Sequence, residues 1–163
     1  MHLVLKKKKL YIGNYKVKCA IGKRGLTNKK REGDLKTPKG KFKFLYLLYR
    51  KDRVKRISTK IPKKIIHENM GWCDDPESKN YNKLIRFKFE KNAEKLFLKK
   101  NLYNLILVLN YNLNPIIKGK GSAIFMHVAT KKFSPTRGCI ALKKNDLLKV
   151  LKLIDTKSTL SIR

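Results

Sequence analysis

A chain of 163 residues, 42% hydrophobic with nine Gly and five Pro, is enough for one domain with a buried core and excludes a wholly disordered polypeptide. The balance of 42 Lys and Arg against 11 Asp and Glu, a formal +31, would attract nucleic acid, an anionic membrane or an anionic wall polymer. Three cysteines without a CxxC and three widely spaced histidines exclude a disulfide framework or a zinc site of ordinary spacing.

Reading from the amino terminus, "MHLVLKKKKLYIG" carries its charge after a very short apolar segment, the reverse of a secretory leader, and no run approaches a membrane span. The tetralysine Lys6–Lys9 is the nearest thing to a charge cluster; the other lysines are scattered, as solvated positions would be. Alternation and β-branched or aromatic content then predict strands at Tyr15–Gly22, Gly40–Tyr49, Leu84–Phe89, Tyr103–Tyr111 and Ala123–Ala129. Between them "REGDLKTPKG" and "CDDPESKNYN" read as turns or working loops, the second an Asx turn closed by Asp74 or Asp75 ahead of Pro76. Glu90–Asn101 is a candidate short helix with Ala93, Leu96 and Phe97 on one face. "NDLLKVLKLI" predicts a firmer helix, with Leu147, Leu148, Leu151 and Ile154 at helical spacing and Asn145 as N-cap, before "TLSIR" as a closing strand. No repeat or domain boundary is visible, so residues 1–163 are expected to form a single, mainly β domain.

The period of two in "AIFMHVA" sets Phe125, His127 and Ala129 on one face and Ile124, Met126 and Val128 on the other. If the second face is core, His127 looks from a rigid strand into a cleft, and the loop "TKKFSPTR" is long enough to bring Cys139 beside it. A free thiol titrates at about 8.5, so a nucleophilic cysteine needs a neighbouring base or cationic surroundings; His127 supplies the first and Arg137 the second. Gly138 permits close backbone approach, so the Gly138 and Cys139 amides are candidate oxyanion donors. Against this, a lone His and a lone Cys also occur as ordinary packed residues.

The motifs decide the matter through resemblance. "HVATKKFSPTRGCIAL" resembles the active-site signature of the L,D-transpeptidase (YkuD-like) catalytic domain, a histidine followed after a variable loop by Ser or Thr, one residue, then Gly-Cys. "KREGDLKTPKG", "WCDDPESKNYN", "GSAIFMHV" and "TRGCIAL" are similar, in the same order, to a compact single-domain bacterial subgroup of that family, from Lys30 to Leu142. The resemblance implies a β-sandwich with one or two packed helices, Cys139 as nucleophile, His127 as base and Gly138 at the oxyanion. Arg137, Thr136, Trp72, Asp74, Asp75 and Tyr81 are candidate substrate contacts, the two carboxylates beside Trp72 as partners for a cationic amine of a peptide substrate. Better-studied members carry a second histidine where this chain has Arg137 and an arginine where it has Ala141.

The reaction so implied is cysteine acyl transfer on a peptidoglycan stem peptide: a tetrapeptide donor loses D-alanine, and an amine acceptor gives a crosslink whereas water makes the protein an L,D-carboxypeptidase. It needs no metal or cofactor, suits a monomer, and belongs in the cell envelope, although no leader is visible. Two other readings stay open on the residues alone: a basic nucleic-acid-binding protein in which Cys139 is a bystander, and a sortase-like protein transpeptidase, for which no catalytic arginine on a separate strand is identifiable.

Overall fold

The computed structural model describes residues 1–86 and 93–163. It is mainly β, 37% strand, with one α-helix. The strands in chain order are β1 (His2–Lys6), β2 (Lys9–Ile12), β3 (Tyr15–Ala20), β4 (Leu26–Thr27), β5 (Thr37–Pro38), β6 (Gly40–Tyr49), β7 (Lys63–Ile65), β8 (Met70–Trp72), β9 (Leu84–Arg86) and β10 (Glu94–Lys95). After a 3-10 turn at Asn101–Tyr103 come β11 (Leu105–Leu109), β12 (Phe125–Val128), β13 (Ile140–Leu142), the helix α1 (Lys144–Leu153) and β14 (Thr159–Ile162).

Nine strands form one sheet in the order β11-β12-β13-β3-β2-β1-β14-β6-β7. The ten-residue β6 pairs through Gly40–Lys43 with β14 and through Phe44–Tyr49 with β11, across a register shift at Val108/Leu109. Because β6 serves both ends, the sheet folds back on itself around an interior rather than lying open. Leu3, Leu5, Leu10, Leu47, Leu105, Leu107, Met126 and Leu142 fill that interior, and α1 adds Leu147, Val150, Leu151 and Ile154. Each such side chain contributes about 1.5–3 kcal/mol when taken from water.

The sheet is buried on both faces where it carries the site. Every residue of β11 is buried: Leu105, Leu107 and Leu109 join the interior, whereas Ile106 and Val108 join a second cluster with Leu48, Trp72, Leu96, Tyr103 and Phe125. Trp72 of that second cluster, and Met70 and Leu84 packed against it, come from the small sheet β10-β8-β9. The period of two holds in β12 as well, with Met126 and Val128 in the interior and Phe125 in the outer cluster.

Several local expectations are corrected. The amino-terminal "HLVLKKKKLYI" is a hairpin, β1 against β2, with Lys7 and Lys8 at positive φ (47° and 59°) making the turn, so the tetralysine is a hairpin tip. The candidate helix over Glu90–Asn101 is not formed from residue 93 on: Glu94 and Lys95 pair with Trp72 and Gly71, which uses their backbone groups in a sheet. Its first residues, 90–92, and the end of the expected strand Leu84–Phe89 lie outside the described residues. The N-cap of α1 is Lys143, without a side-chain cap bond, and Asn145 is already inside the helix.

Candidate active site

Register brings the two chemical residues together. β12 and β13 run parallel with His127 opposite Ala141, so Cys139, two residues before Ala141, lies on the same face and diagonal to the imidazole. Both residues line one cavity of about 370 Å³. The loop between them is anchored on β3's end, where Thr136 N–H donates to Ile21 O at 2.9 Å and Lys23 N–H to Thr136 O at 2.9 Å.

His127 is 6% exposed, and its Nδ1 lies 2.9 Å from the carbonyl oxygen of Val128. A carbonyl only accepts, so Nδ1 carries the proton of the neutral ring and Nε2 keeps a lone pair. Tyr103 meets the ring edge-on at 5.3 Å between centroids. Burial drives the imidazole down to about 4, against a smaller raising effect of the Val128 bond, so it is neutral at pH 7.

The Cys139 thiol donates to Ala123 O at 3.0 Å and accepts from Phe125 N–H at 3.4 Å. Burial pushes it up to about 12, with the charge of Glu94 adding to the effect. Residue 139 is partly exposed, and the thiol donates to Ala123 O rather than to His127.

The backbone around Cys139 is fixed by two threonines. Thr136 Oγ1 donates to Cys139 O at 2.6 Å and accepts from Gly138 N–H at 3.2 Å. Thr37 Oγ1 donates to Gly138 O at 2.7 Å and accepts from Gly22 N–H at 2.8 Å. Gly138 has φ +143°, and a Cβ there would sit 3.0 Å from Lys36 O. The "REGDLKTPKG" segment therefore does two jobs: Glu32, Gly33 and Leu35 line the cavity, while Thr37 buttresses the Gly138–Cys139 peptide from behind.

The remaining expected site residues divide. Thr136, Arg137, Gly138 and Asp74 line the cavity. Trp72, Asp75 and Tyr81 are not among the residues that line it. Trp72 is 2% exposed, stacks edge-on against Phe125 and donates Nε1–H to Asn82 Oδ1 at 2.9 Å, so it is core beneath the site. Asp75 Oδ1 accepts Glu77 N–H at 3.0 Å and closes the Asx turn. Tyr81 ties two loops, donating its hydroxyl to Glu32 Oε2 at 2.6 Å and accepting Gly121 N–H at 3.0 Å. Cys73 is fully buried.

Sequence reasoning missed Glu94 and Tyr103. The Tyr103 hydroxyl donates to Glu94 Oε1, and both side chains line the cavity. Burial raises the Glu94 carboxyl, and nearby Asp74 raises it further, while Tyr103's bond and Arg137 oppose the shift. Asp74 is likewise raised by burial, with Glu32 and Asp75 adding to it and Arg137 opposing. Glu94 fell within the candidate helix, and that misassignment hid it. Among the described residues no group of His, Cys, Asp and Glu is arranged to hold a metal ion. No helix among them is long and apolar enough to cross a membrane.

The family model of the L,D-transpeptidase catalytic domain (YkuD) matches residues 2–162. Among solved structures, the helical cell shape determining protein Pgp2 from Campylobacter jejuni is similar at TM-score 0.52 and 20% identity, over 99% of this chain. This chain spans 46% of that protein's chain. A comparison with curated proteins returns no match.

Proposed function

The chain belongs to the L,D-transpeptidase catalytic domain family, and from that premise we propose that residues 1–163 form one catalytic domain that transfers the acyl end of a peptidoglycan tetrapeptide through a thioester on Cys139. The observation that carries this is the shared cavity: a thiol and an imidazole on one face of adjacent strands, with Nδ1 held on Val128 O so that Nε2 is the base.

With the imidazole down at about 4 and the thiol up at about 12, no thiolate–imidazolium pair forms at rest. The proton moves as the bond forms. Sγ turns from Ala123 O toward Nε2, gives it the proton, and attacks the carbonyl carbon of the diamino acid that precedes the terminal D-alanine. The oxyanion takes an N–H from the Cys139 backbone; the Gly138 amide, held by Thr136 Oγ1, serves only if that bond is exchanged. Collapse expels the D-alanine amine, which takes the proton from His127 and leaves the thioester. An amine or water then attacks, Nε2 receives its proton, and the thiol is restored.

Amine attack makes a crosslink and water attack makes a shortened stem; both are the same acyl-enzyme, and its place is the cell envelope, where the polymer lies. Product analysis tests the reading: tetrapeptide muropeptides incubated with the protein should yield D-alanine together with tripeptides or crosslinked dimers. Cys139→Ala and His127→Ala should yield neither. Equal D-alanine release by wild type and Cys139→Ala would overturn the thioester.

A further inference from the structure

Lysines from four strands come together on one face of the large sheet. Along β1, β2, β3, β14 and the first half of β6 alternate residues are buried, among them Leu3, Leu5, Leu10, Val17, Phe42 and Leu160. The period of two turns the residues between them outward, and Lys6, Lys9, Lys16, Lys18, Lys41 and Lys43 are exposed there.

Register sets these cations side by side. Lys9 is directly opposite Lys6 on one neighbouring strand and Lys18 on the other, a row of three across β1, β2 and β3. A second row runs Lys16, Tyr11, Val4, Ser161, Lys41 across five strands. Like charges directly opposite in an antiparallel pair destabilise it. The face carries nothing to offset them: β1, β2, β3, β6 and β14 contain no Asp or Glu. None of the ion pairs among the described residues involves these lysines. Solvated positions need no such register, whereas an anion lying across the row removes the repulsion.

The face is continuous with the strands that carry the candidate site. Ala141 is opposite both His127 and Ala20, and Lys18 stands two residues before Ala20 on the same side of β3. Lys18 Nζ lies 4.7 Å from the centroid of the Phe133 ring, in the loop whose Thr130 and Ser134 line the cavity.

Spacing and composition narrow the partner. Cations about 4.8 Å apart across strands and about 6.6 Å apart along them match negative charges repeated at similar intervals on a flexible chain, as in a phosphodiester polymer. Lysine is a compact point charge that suits phosphate without planar pairing. Tyr11, 36% exposed, is the one aromatic side chain in the two rows, whereas single-stranded nucleic acid is held by stacking successive bases on aromatic side chains. A bilayer needs buried apolar area as well as charge, and the rows offer only Val4 and Tyr11.

We propose that this face is a docking surface for a base-free phosphodiester polymer of the cell envelope, a chain of polyol phosphates, lying across Lys6, Lys9 and Lys18 beside the catalytic cavity. The polymer holds the domain on the wall while the cavity at the border of the same face meets stem peptides. The envelope location rests on the acyl-transfer reading; the binding does not.

The test is fluorescence anisotropy of end-labelled poly(glycerol phosphate) titrated with the full chain at several salt concentrations. Wild type should bind. The triple variant Lys6→Gln, Lys9→Gln, Lys18→Gln should lose at least about tenfold in affinity, with the slope of log K against log salt smaller by about 2, as three lost phosphate contacts on a single strand require. A control triple with the same loss of charge, Lys51→Gln, Lys55→Gln, Lys60→Gln, takes exposed lysines from the loop between β6 and β7 and should stay within about threefold of wild type. Equal weakening by both triples would reduce the effect to net charge and overturn the docking face, as would no binding by wild type. Tighter binding of oligo-dT of equal charge, or of phosphatidylglycerol vesicles, lost in the first triple only, would assign the face to nucleic acid or membrane and overturn the polymer. No tetrapeptide is present, so each outcome is independent of whether D-alanine is released.

Discussion

Adding one methyl group at residue 138 should damage both stability and catalysis. Gly138 sits at φ +143°, where an L side chain is strained, at about 1–3 kcal/mol for a residue held in such a region. The new Cβ would also stand 3.0 Å from Lys36 O. That carbonyl cannot easily retreat, because Lys36 N–H is bonded to Asp34 Oδ1 at 2.9 Å and the next residue, Thr37, is bonded to Gly138 O. The strain and the contact together put the cost of Gly138→Ala at about 2–4 kcal/mol. Gly13 is the internal control: it has φ +55° but a Cβ there meets nothing within 4 Å, so Gly13→Ala should cost only about 1–2 kcal/mol. Urea denaturation of both variants reads the difference. Because Gly138 precedes Cys139, the proposed nucleophile, a shift of the peptide approaching 1 Å should also lower kcat about a hundredfold, while Gly13→Ala leaves kcat unchanged. If Gly138→Ala were no less stable than Gly13→Ala and turned over normally, the account of the buttressed Gly138–Cys139 peptide would be wrong.

Alkylation of Cys139 by iodoacetamide should accelerate with pH through pH 9 without levelling off, because the thiol rests up at about 12; a plateau below pH 7 would reveal a thiolate–imidazolium pair. Thr136→Val removes the hydroxyl that serves Cys139 O and Gly138 N–H, and should cost about 1–3 kcal/mol in urea melts, with Thr136→Ser recovering most of it. Asp74→Asn should stabilise the protein at pH 7. Its carboxyl is raised in the folded state, so folding favours the protonated form; the penalty is absent below the unfolded value of about 3.9 and grows as pH rises through the folded one. Melting temperatures of the variant and wild type should therefore converge in acid, and a variant less stable than wild type at pH 7 would contradict this.

The half of the site that depends on strand periodicity was legible. Alternation in "AIFMHVA" separates Phe125 and His127 from Met126 and Val128, and the two faces of β12 follow that pattern. Asp74 was legible as a candidate carboxylate, but its place in one cavity with Glu32 and Glu94 was not, since the three come together only through tertiary packing and Glu94 carries no local signal. Leu96 and Phe97 have helical spacing, yet β8 offers Glu94 and Lys95 an unpaired edge, and pairing there overrides a weak propensity. The β1–β2 hairpin escaped notice because its turn uses Lys7 and Lys8 at positive φ, with no Gly, Asn or Asp to mark it. Trp72 and Tyr81, expected as substrate contacts, each have a polar partner, Asn82 for one and Glu32 for the other.

The most direct measurement is intact mass of the protein during incubation with a tetrapeptide stem, wild type beside Cys139→Ala and His127→Ala. The account predicts a transient adduct on wild type equal to the stem less D-alanine, located by fragmentation at Cys139 and absent from both variants. An adduct that persists in Cys139→Ala, or D-alanine released by that variant at the wild-type rate, would contradict it.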